Sequence, residues 1–172
     1  MSLRSFVFPR NVEGQHGVLR EAGFTAYRGA DPAWHSGLTG VVGRSARYMD
    51  HLAALPPPVS VPSETLPGLW NVPGSMLLLH QSGARRWVSL ESRVRKAARG
   101  LEAAREKGAV FHLWTHPFNL ASDPEGLLGV VDRILRDAAA MRERGELVIE
   151  TMSTIAARMA ERSGTAGAAE QR

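Results

Sequence analysis

The sequence predicts an α/β fold with parallel strands joined by helices, and three observations predict it. Residues 3–8 and 24–28 are apolar strand candidates, and the helical pattern between them is closed by Gly23, so the chain begins as strand, helix, strand. Residues 110–144 read as strand, loop and helix. Residues 6–8 are three consecutive apolar residues, which is typical of a parallel strand buried on both faces.

Length and composition indicate one soluble globular domain. The chain has 172 residues, of which 44% are hydrophobic, enough for a sizeable core. It has no cysteine, which excludes disulfides, thiolate catalysis and cysteine zinc sites, so a metal would need histidine and carboxylate ligands. No apolar run reaches the length of a transmembrane segment and no signal peptide is visible. We therefore expect a cytoplasmic or cell-envelope-associated protein, the true start of which the sequence leaves open.

The net charge of +4 comes from one segment. Between Arg85 and Lys107 there are eight basic residues and three acidic ones. We interpret this excess as a solvated helix face, and a surface for an anionic polymer or a partner protein is the alternative. The segment has no nucleic-acid recognition motif, and Trp87 is its single aromatic residue, so we expect no nucleic-acid partner.

Residues 1–162 are predicted to form the domain, with residues 30–89 as a long irregular insertion. A helical pattern is visible within residues 37–55, and six prolines follow it between residues 56 and 73. The insertion also contains apolar stretches around Trp70 and Leu78, so we expect it to pack over one end of the fold.

Helical patterns dominate the second half of the chain. Residues 89–107 and 124–144 carry apolar repeats that end at glycines, residues 147–149 form a short apolar strand candidate, and Ser153 can cap a last helix. Residues 163–172 are predicted to be a flexible tail. The helix predicted at residues 124–144 has the clearest apolar stripe, formed by Leu127, Leu128, Val131, Ile134, Leu135, Ala138 and Met141.

His116 is the first candidate for chemistry, because it lies where the central strand ends. Pro117 cannot continue a strand ladder, and ligands of α/β folds bind at the carboxyl ends of strands. On its own, this histidine is equally consistent with a core residue and with a catalytic acid or base. On a strand, His112 lies about 13 Å from it at roughly 3.3 Å per residue. The two therefore do not form a metal pair, and His112 is interpreted as structural.

Two further residues invite a functional interpretation. Arg10 follows the first strand, where a guanidinium can clamp a carboxylate, although a loop ion pair is the simpler explanation. Trp114 shares strand parity with His116, and a tryptophan at such a position is more often part of a core than a platform for a sugar.

Several segments resemble the polysaccharide deacetylases of the NodB-homology type. Residues 5–11 (SFVFPRN) and 19–29 (LREAGFTAYRG) resemble the third motif region of that family, and residues 111–120 (FHLWTHPFNL) resemble its last catalytic motif. Residues 55–58 (LPPP) and 71–75 (NVPGS) lie between them, much as in the branch acting on bacterial cell-surface glycans. The resemblance extends through nearly the whole chain up to the last helix.

The resemblance implies a distorted (β/α) barrel that removes acetyl groups from the N-acetylated sugars of a polysaccharide or oligosaccharide. In that family a divalent metal, zinc or similar, activates water, an aspartate is the base and a histidine protonates the leaving amine. By resemblance, His116 is the acid and Arg10 orients the base. We assign substrate binding to Asn11, Trp114, Phe118 and Trp70.

The chain departs from the family in one large respect. The Asp-Asp motif and the paired histidines of the family's amino-terminal half have no counterpart here, so the metal ligands are absent from this chain. A complete barrel needs about 250 residues. We therefore expect a partial (β/α) barrel that lacks its first strands, is inactive alone, and has a missing amino-terminal half as its partner. The alternative is a non-catalytic, deacetylase-like domain that binds a glycan or a partner protein.

Overall fold

The computed structural model describes residues 3–169 and shows a mixed α/β fold. None of the helices within this range is long and apolar enough to cross a membrane. The elements in chain order are β1 (Ser5–Val7), α1 (His16–Glu21), β2 (Ala26–Arg28), α2 (Gly40–Leu52), β3 (Ser63–Leu66), β4 (Leu69–Asn71), β5 (Met76–Leu77), α3 (Leu90–Lys107), β6 (Leu113–Trp114), α4 (Pro117–Leu120), α5 (Pro124–Glu143) and α6 (Met152–Ala169).

The chain divides into two compact units. The first unit comprises Met1–Ala30, Val61–Pro73 and Glu150–Arg172, and the second comprises Asp31–Ser60 and Gly74–Ile149. Within the described residues the strands form one four-stranded and one two-stranded sheet, and no closed barrel. The partial barrel stays a prediction.

The first unit is organised around the four-stranded sheet, which has the order β1-β2-β4-β3. Strands β1, β2 and β4 are parallel, and β3 is antiparallel to β4. All three residues of β2 are buried, as expected for a strand with a neighbour on each side. The core of this unit is formed by Phe8, Leu19, Tyr27 and Leu69.

The prediction that residues 6–8 are buried on both faces was wrong. Phe8 is buried, but Phe6 is only partly buried and Val7 is 43% exposed. The reason is that β1 lies at the edge of the sheet, where β2 is its one hydrogen-bonded neighbour among the described strands.

The second unit is built mainly from helices. Its strands β5 and β6 are parallel, and helix α3 packs against α5. The buried residues of its main core are Met76, Leu78, Val94, Ala97, Leu127, Val130 and Ile134.

The two long helices of this unit were predicted correctly, but the predicted apolar stripe of α5 includes two residues that are exposed. Ser89 caps α3 by accepting a hydrogen bond from the Ser92 backbone, and Gly108 ends the helix in the left-handed conformation. On α5, Leu128 and Leu135 are 53% and 54% exposed. Each is about 100° around the helix from its buried neighbour, Leu127 or Ile134, and therefore lies outside the buried face.

The prediction of an irregular insertion at residues 30–89 needs correction. This stretch contains α2 and three strands, and β4 is hydrogen-bonded to β2 within the main sheet. Its apolar residues Leu69 and Trp70 are buried as sheet residues. The prolines lie outside the strands, where the loss of their backbone donor has no effect on the ladder.

The carboxyl-terminal region differs from the prediction in two ways. Residues 147–149 are not a strand, and Val148 and Ile149 are at least half exposed. Helix α6 runs to Ala169, well beyond the predicted end, so residues 163–169 are not a tail, while residues 170–172 lie outside the described part. The backbone amide of Thr154 donates to Thr151 Oγ1 at 3.3 Å, so Thr151 acts as the cap that was assigned to Ser153.

Candidate functional site

The backbone around His116 is fixed by hydrogen bonds at the carboxyl end of β6. Thr115 Oγ1 donates to the carbonyl of Leu78 at 2.9 Å, and Asn119 Nδ2 donates to the same carbonyl at 3.2 Å. The carbonyl of His116 accepts from the Asn119 amide at 2.9 Å, which begins the short helix α4. His116 therefore follows the end of the strand, as the sequence predicts, and the next residue, Pro117, starts a helix.

The imidazole of His116 is held between two aromatic rings. It stacks on Phe118 with ring centroids 4.9 Å apart and an interplanar angle of 11°. It also forms a T-shaped pair with the ring of Trp114, with centroids 5.4 Å apart and an interplanar angle of 89°. His116 is exposed, and within residues 3–169 no hydrogen bond engages its ring. Both ring nitrogens are thus available to a ligand. Three predicted site residues are brought together here.

Asp31 is a further member of this site that sequence reasoning missed. Its Oδ2 accepts the indole N–H of Trp114 at 3.2 Å. Gly74 makes room for the pair, since a Cβ there would come within 1.9 Å of Asp31 Oδ1 and 2.8 Å of Trp114 Nε1. The two partners are 83 positions apart, so no local pattern in the sequence signals the contact.

In the first unit, Arg10 and Asn11 lie in the 3₁₀ turn Pro9–Asn11 that directly follows β1. Asn11 adopts a left-handed conformation with φ of 55°, which asparagine tolerates better than most residues. Its Oδ1 accepts from Nη2 of the buried Arg28 at 2.7 Å. The predicted substrate-binding residue Asn11 therefore positions an arginine that sequence reasoning overlooked.

Other polar groups meet at the carboxyl ends of the same parallel strands. Glu13 Oε1 accepts from the backbone of Ala30 at 3.1 Å, and its Oε2 lies 3.6 Å from Nε2 of His16. Asn71 Oδ1 accepts from the backbone of Gly29 at 3.0 Å. These contacts connect the loops that follow β1, β2 and β4, the edge at which an α/β sheet meets its ligands.

Trp70 is placed differently from the other candidates. It lies in β4, is 4% exposed, and lines a cavity of about 370 Å³ together with Arg4, Thr25 and residues of α6. Its indole N–H has no hydrogen-bond partner among the described residues. Trp70 is therefore not a surface platform in this structure, and its role in substrate binding stays a prediction.

The basic segment is not the uniformly solvated face that its composition predicts. Arg93 is buried and donates to the carbonyls of Leu79 and His80 at 2.7 and 3.3 Å. Lys96 is buried and lies 2.6 Å from Asp50 Oδ2. Two of the eight cations therefore hold the second unit together from inside.

The divalent metal implied by the family resemblance does not fit the described residues. Within residues 3–169, no group of three or more histidine, aspartate or glutamate side chains lies close enough to hold a metal ion. The side chains that contact the His116 imidazole are the aromatic rings of Trp114 and Phe118, which are not metal ligands. The nearby carboxylate of Asp31 accepts a hydrogen bond from the Trp114 indole.

Comparison with protein-family models, curated proteins and solved structures finds no match. Arguments about function therefore depend on the residues of this chain.

Proposed function

We propose that this chain supplies the general acid for the hydrolytic deacetylation of N-acetylated sugars in a bacterial polysaccharide. In this proposal it is the carboxyl-terminal portion of a metal-dependent deacetylase, and the metal and the base are held by polypeptide outside this sequence. The observation that carries the proposal is the exposed His116 imidazole, which is fixed between Trp114 and Phe118 at the end of β6.

The chemistry requires a proton donor at this type of position. In amide hydrolysis the oxygen of water bonds to the acetyl carbon, the carbon–nitrogen bond breaks, and the amine must take up a proton to leave. Imidazole suits that step because it exchanges protons near neutral pH. In the proposed step, the imidazolium form of His116 gives one ring N–H proton to the leaving nitrogen and becomes neutral imidazole, while the base outside this chain takes the proton of the attacking water. The products are acetate and the free amino sugar.

The aromatic rings beside His116 suit a sugar substrate. Phe118 is 68% exposed, and it presents an apolar surface next to the imidazole on which a pyranose face or an acetyl methyl group can pack. In this proposal, Asp31 is a positioning residue, since it fixes the Trp114 ring that in turn orients His116.

The second candidate is a non-catalytic, deacetylase-like domain that binds a glycan or a partner protein. It is favoured by the exposed aromatic residues of the second unit, because Trp34 and Trp87 are 60% and 67% exposed. The guanidinium of Arg86 lies 5.0 Å over the Trp87 ring, which makes this pair a cationic and aromatic surface.

An NMR titration with a short N-acetylglucosamine oligosaccharide distinguishes the two candidates. The proposal predicts that the resonances of His116 and Phe118 shift on binding, and that the chain alone releases no acetate with added zinc, cobalt or nickel. Shifts confined to Trp34 and Trp87 would favour the non-catalytic domain. Robust metal-dependent acetate release by this chain alone would contradict the placement of base and metal outside it.

A further inference from the structure

Two tryptophans of the second unit are held by aspartates in the same way. The indole N–H of Trp34 donates to Asp50 Oδ1 at 3.0 Å, and that of Trp114 donates to Asp31 Oδ2 at 3.2 Å. Asp31 and Trp34 are three residues apart in the loop before α2. Each end of this short segment therefore makes one of the two bonds, and the segment connects them.

The carboxylate of Asp50 is fixed from the inside of the unit. Its Oδ2 lies 2.6 Å from Nζ of Lys96, and both side chains are buried. Lys96 Nζ also donates to the carbonyl of Leu55 at 2.8 Å. A buried pair of opposite charges holds each partner in place, because moving one partner away leaves the other charge buried alone. The exposed residue Trp34 is therefore bonded to a carboxylate that has a fixed position.

The segment between Asp31 and Trp34 is hydrogen-bonded to itself. The ring of Pro32 restricts its φ angle, and the Ala33 amide donates to the carbonyl of Asp31 at 2.8 Å. Ser36 donates twice to the carbonyl of Ala33, from its hydroxyl at 2.6 Å and from its amide at 2.9 Å. A segment tied in this way moves as one body, so a displacement of Trp34 is passed to Asp31.

At the other end of the segment, the bond from Asp31 sets the direction of the Trp114 ring. The backbone of Trp114 is fixed separately, because its carbonyl accepts from the Leu78 amide at 2.9 Å and β6 pairs with β5. The carboxylate therefore selects the orientation of the side chain alone. This ring forms the T-shaped pair with the imidazole of His116. The surroundings of the imidazole thus depend on where Asp31 lies.

We propose that Asp50 is a positioning residue for His116. It acts through three residues in turn, Trp34, Asp31 and Trp114. A hydrogen-bonded network of this kind carries energetic coupling between residues that do not touch. The inference rests on the proposed function for the role of His116 as the acid, whereas the positioning itself is measured without catalysis. Failure of the positioning test therefore leaves the acid role standing, and acetate release tests that role separately.

NMR of the full chain tests this proposal. The variant Trp34→Phe keeps an aromatic ring and removes the donor to Asp50, and the position is exposed, so the fold should be retained. We expect the ring protons of His116 to change their chemical shifts, because these shifts depend on the orientation of the Trp114 ring. The indole N–H of Trp114 should exchange with solvent about 2- to 30-fold faster, the range that couplings through such networks span.

The matched control is Trp87→Phe, which also removes an exposed indole of the second unit. It should leave the signals of His116 and of the Trp114 indole unchanged. The backbone amide of Ala97, which lies in the core on α3, reports general stability. In Trp34→Phe its exchange should accelerate less than that of the Trp114 indole. Acceleration of both by the same factor would show a general loss of stability and would contradict a positioning role.

Two further variants test the route of the coupling. Asp50→Leu/Lys96→Met removes the acceptor for Trp34 without leaving a buried charge alone, and should move the His116 signals in the same direction as Trp34→Phe does. In an Asp31→Ala background, Trp34→Phe should have no further effect on His116, since the connecting bond is gone. Unchanged His116 signals in either variant that lacks the Trp34–Asp50 bond, or a full effect of Trp34→Phe without Asp31, would overturn the proposal.

Discussion

The indole N–H of Trp114 donates to Asp31 Oδ2 at 3.2 Å, and the ring held by this bond forms a T-shaped pair with the imidazole of His116. The bond joins a loop residue to the last residue of β6, and Gly74 leaves the space in which they meet. The position of His116 therefore depends on a residue far away in the sequence.

The Asp31–Trp114 bond can be measured by a double-mutant cycle. Asp31→Ala and Trp114→Phe should each lower the free energy of unfolding, because a hydrogen bond to a charged group contributes about 1.5–3 kcal/mol. The double variant should lose less unfolding free energy than the two single variants lose together. Urea unfolding of wild type, the two single variants and the double variant gives the coupling energy. Simple additivity would show that the bond contributes nothing.

The buried pair Asp50–Lys96 should be intolerant of losing one partner. Lys96→Met leaves a buried carboxylate without its ammonium and is expected to cost about 3–5 kcal/mol of unfolding free energy. The double variant Asp50→Leu/Lys96→Met removes both charges and should recover most of that loss in urea unfolding. A single variant as stable as wild type would contradict the pairing.

Stability should depend on the protonation of His51. Burial and, secondarily, the charge of Lys96 lower the pKa of His51 to about 4 from its ordinary value of 6.5. As the pH falls, His51 is therefore protonated in the unfolded chain before it is protonated in the folded one. Its contribution to the free energy of unfolding is complete above about pH 6.5 and is lost as the pH falls towards 4.

The predicted loss of unfolding free energy is at most about 3.4 kcal/mol, from 1.36 kcal/mol for each unit of pKa shift. Urea unfolding of wild type and His51→Gln across this range isolates the contribution of the histidine from that of the carboxylates. The variant should lose less stability than wild type between neutral and acidic pH. Parallel curves for the two proteins would show that His51 titrates normally.

Two helix glycines should respond to alanine with opposite signs. A Cβ at Gly100 on α3 would lie 2.5 Å from the Phe111 ring and 2.7 Å from Pro57, so Gly100→Ala should destabilise the fold by about 1–3 kcal/mol. Gly129 on α5 is exposed and has no atom within 4 Å of such a Cβ, so Gly129→Ala should stabilise it by roughly 0.5–1 kcal/mol. Thermal unfolding measures both, and a shift of the same sign in both would contradict the packing at Gly100.

The sequence predicts the long helices well because their signals are local. Helix α3 has a repeating apolar pattern, Ser89 as its cap and Gly108 as its stop, and all of these lie within one segment. The strands are harder to predict because they have two to four residues each, and their burial depends on neighbours. The edge position of β1, which exposes Val7, is a property of the whole sheet.

The candidate site shows the same division. The position of His116 at a strand end follows from Pro117, which the sequence displays. The role of Asp31 depends on a contact across 83 positions, and the burial of Asp50 depends on its ion pair with Lys96. Neither feature leaves a periodic pattern, since each is set by tertiary packing that overrides local preference.

The central claim is that His116 is the general acid of a deacetylase. The most direct test measures acetate release from an N-acetylglucosamine oligosaccharide, with added zinc, by this chain expressed together with the polypeptide encoded immediately upstream of Met1. The account predicts metal-dependent release that His116→Ala lowers by about a hundredfold or more, the usual scale for a general acid, and that His80→Ala leaves unchanged. Release that is unaffected by His116→Ala would contradict it.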